Sequence, residues 1–256
     1  MDVIKKLEDR FLSAPINTES ITEEELRQSL QEVSNSVQID ASLAVLSNLA
    51  TNTSYIFVGK FGSYFGMSEA DNSVLDSIWE EDIYNRIHPE DLFERHLLEL
   101  EFFNFLKQLP PCERLNYATI CKVRAKSQTG DYNYIEHRSS YLRMDENGSL
   151  WLALCQYNYS YSPPPQMLID SMIVNKTTGE KFTVNKYDSC TRLLTERESE
   201  VLVCVSKGLM SKEIAAQLHI SINTVNRHRQ NIIEKLNVNN SMEAVRVANA
   251  LGIVAG

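Results

Sequence analysis

The chain has 256 residues, 43% of them hydrophobic and 23% charged, which suffices for one or two soluble domains with ordinary cores. Its net charge of −9 argues against indiscriminate binding to a phosphate backbone. No run of 18 apolar residues is present, so no membrane span is expected, and five cysteines without a Cys-x-x-Cys pair favour reduced, buried thiols in a cytoplasmic protein over a disulfide frame or a zinc site.

Charged residues break up the apolar positions of the first twelve residues, which read as a short amphipathic helix and not as a signal peptide. Thr22 opens a second helix, to about Val33, with Glu23, Glu24 and Glu25 placing negative charge in its first turn. Ala41 to Ala50 reads as a third. Residues 1–50 thus form an N-terminal helical segment without identifiable chemistry, suited to packing or dimer contacts.

The pattern changes at Thr53. Tyr55 to Val58 is rich in β-branched and aromatic residues, and Ser63 to Met67 reads as its partner strand after a turn at Gly59 to Gly62. Helical and loop structure is expected over 73–86. Pro89, followed by Glu90 and Asp91, starts a long helix to about Leu109. That helix is apolar nearly all round, so it must be covered on more than one face.

Three strands follow, Leu115 to Lys126, Tyr132 to Met144 and Leu150 to Tyr161, separated by turns at Thr129-Gly130-Asp131 and Glu146-Asn147-Gly148. Two strands, helices, then three antiparallel strands resembles the order of a PAS domain, with IHPED before the long helix and SQTGDYNYIEHRSSYLRMDENGSLW as the later hairpin. A different α+β sensor is the competing fold. The resemblance implies a sensory or dimerising unit over 51–185. Its last part, Met172 to Asn175 and Lys181 to Asn185, reads as one more small hairpin, and 186–192 is a polar linker. His88 and His96 flank the start of the long helix, but capping and packing explain them better than haem ligation. No cofactor can be named. Neither a nucleophile elbow nor a phosphate-binding glycine loop is present, so an enzyme has no residues to stand on.

From Leu193 onward the chain carries seven Lys/Arg and six Asp/Glu, a balance of +1 that leaves −10 on the first 192 residues. Three helices are legible there. Thr195 and Glu198 form a capping box before Val201, Leu202 and Val205, and the helix stops at Lys207-Gly208. Ser211 caps the second, with Ile214, Ala215 and Leu218 as its stripe. Ser221 caps the third, where Ile222, Val225, Ile232, Ile233 and Leu236 share one side. About four residues, His219 to Ile222, join the last two, which is helix-turn-helix spacing. The opposite face carries Asn223, Arg227, Gln230 and Asn231, with Asn226 on its flank. Arginine can bond guanine bidentately, and asparagine or glutamine can do the same with adenine.

This stretch resembles the LuxR/NarL type of helix-turn-helix through Leu194-Thr195, Arg197-Glu198, Glu200-Val201-Leu202, Gly208, Lys212-Glu213-Ile214-Ala215, Thr224-Val225, His228 and Lys235-Leu236. It departs in having Asn226 where the family usually has lysine after Thr-Val, so Arg227 or Arg229 is left to supply that contact. The resemblance implies a four-helix, all-α DNA-binding domain over 193–256 and an α+β protein overall. It implies double-stranded DNA as partner, met by Ser211, Lys212, Ser221, Asn223, Thr224, Asn226, Arg227, Arg229, Gln230, Asn231 and Lys235. It also implies RNA polymerase as a partner and a homodimer whose contact lies on a fourth helix capped by Ser241, through Ala244, Val245, Ala248 and Leu251. The expected function is a sequence-specific transcription regulator whose PAS-like domain senses a small molecule or protein and sets the placement of the recognition helices. The alternative is a PAS-like domain that only binds proteins.

Overall fold

The computed structural model describes residues 11–12, 15–69, 71–161, 169–183, 194–236, 238 and 240–250, with the side chains of 246, 249 and 250 left aside. The fold is α+β. Its N-terminal part opens with α1 (Glu23–Asp40), capped by Thr22: the hydroxyl accepts from Glu25 N–H at 3.2 Å and Thr22 N–H donates to the Glu25 carboxylate at 3.1 Å. The helix ends at Ala41, in a left-handed conformation with φ 55°. Its expected end at Val33 falls short because Val37, one turn on, is also buried.

The segment 41–50, expected as helix, is strand β1 (Leu43–Asn48). All six residues are buried, since α1 covers one face of the sheet and the central core the other. A strand buried on both faces is a continuous apolar run, and periodicity cannot separate that from a helix. A domain boundary at residue 51 would therefore cut the sheet between β1 and β2 (Thr53–Val58), which pair in the register Leu43↔Val58. The strand expected over Ser63 to Met67 is instead part of a 3-10 helix, Lys60–Phe65. Gly59 starts this turn because a Cβ there would lie 2.4 Å from the Ser42 carbonyl oxygen. β2 takes β3 (Ser73–Leu75) as its second partner.

Two short helices, α2 (Glu81–Tyr84) and α4 (Pro111–Arg114), bracket the long helix α3 (Pro89–Gln108). Strands β4 (Tyr117–Lys126), β5 (Tyr132–Met144) and β6 (Leu150–Tyr159) form a meander, and β6 returns to pair with β1 through Leu43↔Tyr157. The sequence of strands across the sheet is β3-β2-β1-β6-β5-β4-β7-β8, antiparallel throughout. The last two, β7 (Met172–Asn175) and β8 (Lys181–Thr183), form the small hairpin expected there, and β7 joins it to the sheet through Ala118↔Val174. α3 is covered on several sides, burying Phe93, Leu97, Leu98, Phe102, Phe103 and Leu106.

The C-terminal part comprises α5 (Glu196–Ser206), α6 (Ser211–Leu218), α7 (Ile222–Lys235) and α8 (Ser241–Ala250). Val201, Leu202, Val205, Ile214, Val225, Ile232 and Leu236 are buried in a common core. Ile222, expected in that core, is 45% exposed: it is the first residue of α7 and has no preceding turn to pack on. The expected helix over residues 2–12 lies mostly outside the described residues, as does Leu251.

Candidate nucleic-acid interface

The geometry of α6 and α7 follows from their caps. α6 ends at His219, left-handed at φ 54°, and Ile220 N–H turns back to the Ala215 carbonyl at 3.1 Å. Ser221 caps α7, its hydroxyl accepting from Thr224 N–H at 3.1 Å. The two helices are thereby joined by three residues, the helix-turn-helix connection, and Ile222 already belongs to α7. Ser211 is not the cap of α6; the N-cap is Met210, whose N–H donates to Glu213 at 2.7 Å, so Ser211 is the first helical residue. Ser241 shifts likewise: Asn240 Oδ1 accepts from Met242 and Glu243 N–H, both at 3.0 Å, and occupies the cap.

Val225 and Ile232 turn one side of α7 into the domain core. The other side presents Asn223, Asn226, Arg227 and Gln230, all exposed, with Thr224, Arg229 and Asn231 half-buried at its margins. Gln230 bonds Glu234 at 3.0 Å along the helix. Ser221 is exposed at the start of α7, and Lys212 is exposed with Ser211 beside it at the start of α6. Among the described residues, Lys212, Arg227 and Arg229 form no ion pair. The arrangement therefore offers bidentate donors and acceptors along one exposed ridge, and free amides with a lysine at a second helix start.

Lys235 does not join this surface. Its ammonium donates to Glu198 at 2.6 Å, with 18% and 3% of the two side chains exposed. Burial alone would raise the Glu198 carboxyl, but the bonds from Lys235 and from Thr195 N–H (2.7 Å) outweigh it and hold it below the ordinary carboxylate value. Lys235 thus ties the end of α7 to the start of α5, and its expected DNA contact is corrected to a structural one.

The dimer contact expected on α8 is corrected too. Ala244 and Ala248 are fully buried, and Val245 is 8% exposed, packed against α5 and α7 of the same chain. Small alanines permit close approach, and here they serve the domain's own core.

A second constellation, inside the N-terminal part, escaped the sequence reading. Arg95 on α3 is fully buried, paired with Glu99 at 3.1 Å and Glu80 at 3.5 Å, and its Nε donates to His137 at 3.3 Å. Tyr157 donates to Glu80 at 3.0 Å, and the guanidinium lies 4.7 Å from the centre of the Tyr84 ring. Burial, and then the charge of Arg95, push His96 and His137 well below the usual histidine value, so both are neutral at pH 7. The signal was present as Glu94, Arg95, His96 and Glu99 within an otherwise apolar helix. His88 sits at the N-cap position of α3 but makes no side-chain cap bond. Cys112 is exposed, contrary to the expectation of buried thiols, whereas Cys121, Cys155 and Cys204 are buried. No helix among the described residues is long and apolar enough to cross a membrane.

A helix-turn-helix built on four capped helices, with a polar ridge on its second helix, defines the class. Residues 192–248 match the GerE family, bacterial regulatory proteins of the luxR type, so the C-terminal domain is a LuxR-type helix-turn-helix domain from a family of regulators rather than enzymes. Over 60 residues the chain is 43% identical to the uncharacterized response regulatory protein YgeK of Escherichia coli K12, covering 23% of this chain and 41% of that one. Over 53 residues it is 47% identical to the response regulator protein VraR of Staphylococcus aureus, covering 21% and 25%. The chain thus spans less than half the length of these relatives. A solved VqmA–ligand–DNA complex of Vibrio cholera aligns with 89% of this chain and 90% of its own, at 14% identity and a TM-score of 0.31, too loose to carry an argument.

Proposed function

We propose that the chain is a sequence-specific, DNA-binding transcription regulator that acts as a homodimer in the cytoplasm and contacts RNA polymerase. The observation that carries this reading is the ridge Asn223, Asn226, Arg227 and Gln230, exposed on the second helix of a helix-turn-helix. The N-terminal part, proposed as one unit from α1 to β8, acts as a PAS-like sensor: strands β2-β1-β6-β5-β4, with helices between β2 and β4, support that assignment. A signal there changes the placement of two recognition helices relative to half-sites about one DNA turn apart. Selection of bound duplexes from random sequence tests the reading. A single enriched motif of two half-sites is expected, and recovery of unselected sequence would overturn it.

A second reading, an N-terminal part that binds only proteins, draws on the size of its interior. The cavity beside Arg95 has a volume of only about 30 Å³, and Phe11, Trp79, Tyr84, Phe102 and Tyr141 stand in its wall. Its polar lining supports sensing instead.

A further inference from the structure

The cavity lies against the sheet's inner face, where Glu80 and Glu99 both line it, together with Ser139 on β5 and Cys155 on β6. Trp79, Tyr84, Phe102, Tyr141 and Phe11 supply aromatic walls. Among the described residues, carboxyl groups outnumber cations around it. Among the described residues, Arg95 is the one cation that meets here; opposite it stand the carboxyl groups of Glu80 and Glu99, while His137 from β5 and His96 from α3 are neutral. The remaining titratable neighbours, Tyr84, Tyr141, Tyr157 and Cys155, are held protonated by burial and add no charge. Tyr141, only 4% exposed, makes ring contacts to Phe102 and Phe103, and among the described residues its hydroxyl has no hydrogen-bond partner; Trp79 Nε1 is buried and unbonded among them too.

A buried ion cluster of this kind costs stability unless something compensates it. An acidic cavity with aromatic walls is suited to a cation, through the carboxylate's charge and the negative faces of the rings. The volume sets the size. One water needs roughly 10–15 Å³ of such space, so about 30 Å³ admits two or three non-hydrogen atoms.

We infer that this cavity is a binding site for a small primary amine, whose ammonium pairs with Glu99 and bonds the Tyr141 hydroxyl beside the aromatic wall. The inference rests on the sensory reading of the N-terminal part. Burial, countered by Arg95 and reinforced by Glu80, raises the Glu99 carboxyl to about 7. A proton and an ammonium therefore compete for the same carboxylate at neutral pH. Amine affinity should rise with pH and fall about tenfold per unit below 7, while a neutral molecule of equal size should show no such dependence.

The test uses the full chain and its own reporters, Trp79 in the cavity wall and Trp151, which does not line the cavity. Tryptophan fluorescence and thermal midpoint are followed on titration with methylammonium and ethylammonium at pH 6 and pH 8, against methanol and ethanol. Saturable changes with the amines alone, stronger at pH 8 and lost in Glu99→Gln, are expected. Tyr141→Phe, which keeps the ring, should weaken the response, and it serves as the probe if Glu99→Gln does not fold. Equal responses to amines and alcohols, or responses unchanged in both variants, would overturn the site. Binding to a selected DNA is measured in parallel. No amine response with DNA binding intact sinks this inference alone, whereas amine binding that leaves DNA affinity unchanged sinks the sensory reading and keeps the site.

Discussion

Arg227 stands on the exposed ridge of α7 without an ion pair among the described residues, so its five donors are available to a ligand. Arg227→Ala should cost roughly 1–3 kcal/mol on a selected duplex and relax base preference at one position. Fluorescence anisotropy on matched and single-mismatch duplexes checks both; parental selectivity would exclude a base contact. Lys235 gives the opposite expectation. Lys235→Ala should leave base preference alone and destabilise the fold by about 1–3 kcal/mol, since a mostly buried Glu198 loses a charged partner. The pH dependence has a definite sign. Glu198 is held below its unfolded value, so its stabilisation is present above the ordinary carboxylate range near pH 4.3 and is lost as pH falls through the lowered folded value. Urea melts of parent and Lys235→Ala should therefore differ at pH 7 and converge in strong acid. A gap independent of pH would remove the carboxylate from the account.

At the scale of elements, the starts of α6 and α7 matter for different reasons. α7 enters with a capped turn that aims its ridge, whereas α6 offers amide groups and Lys212 to a phosphate. Lys212→Ala should weaken binding to every sequence alike and reduce the slope of log affinity against log salt by about one. An unchanged slope would mean that Lys212 touches no phosphate. α8 is an element whose role changes between sequence and structure. Ala248 is fully buried against its own domain, so Ala248→Asp should unfold that domain, at a cost on the order of 3 kcal/mol or more. Circular dichroism melts read this directly. A folded Ala248→Asp variant that has lost only its self-association would restore the dimer role.

For the whole molecule, charge and the proposed two-fold symmetry set the expectation for DNA binding. The C-terminal part carries +1 and the rest −10, so one copy neutralises few phosphates while the acidic part repels the backbone. On the proposed function, affinity depends on two copies joined at high effective concentration. The full chain should bind a two-half-site duplex as a 2:1 complex. Inserting about five base pairs between the half-sites turns one to the far face of the helix and should abolish cooperative binding. Gel shifts combined with mass measurement settle the stoichiometry, and a 1:1 complex of parental affinity on both spacings would refute the dimer.

Local chemistry made much of this legible from the chain. Thr22-Glu25, Thr195-Glu198 and Ser221 cap through bonds between near neighbours, so those helix starts follow from spacing alone, as does the polar ridge of α7. The hairpin β5–β6 is legible for the same reason, through a turn with Gly148 at φ 79°. Quantities that depend on what lies across a core needed the tertiary structure. β1 looked helical because both its faces are covered, and an apolar run carries no period that names its partner. Lys235 and Ala248 looked available on a helical wheel, but Glu198, 37 residues earlier, and the packing of α8 on α5 and α7 claim them. The Arg95, Glu80 and Glu99 cluster joins a loop to α3, with β5 and β6 closing round it. Its charges read as ordinary surface residues until the fold removes them from water, and only then do the cavity and a carboxyl near 7 exist at all.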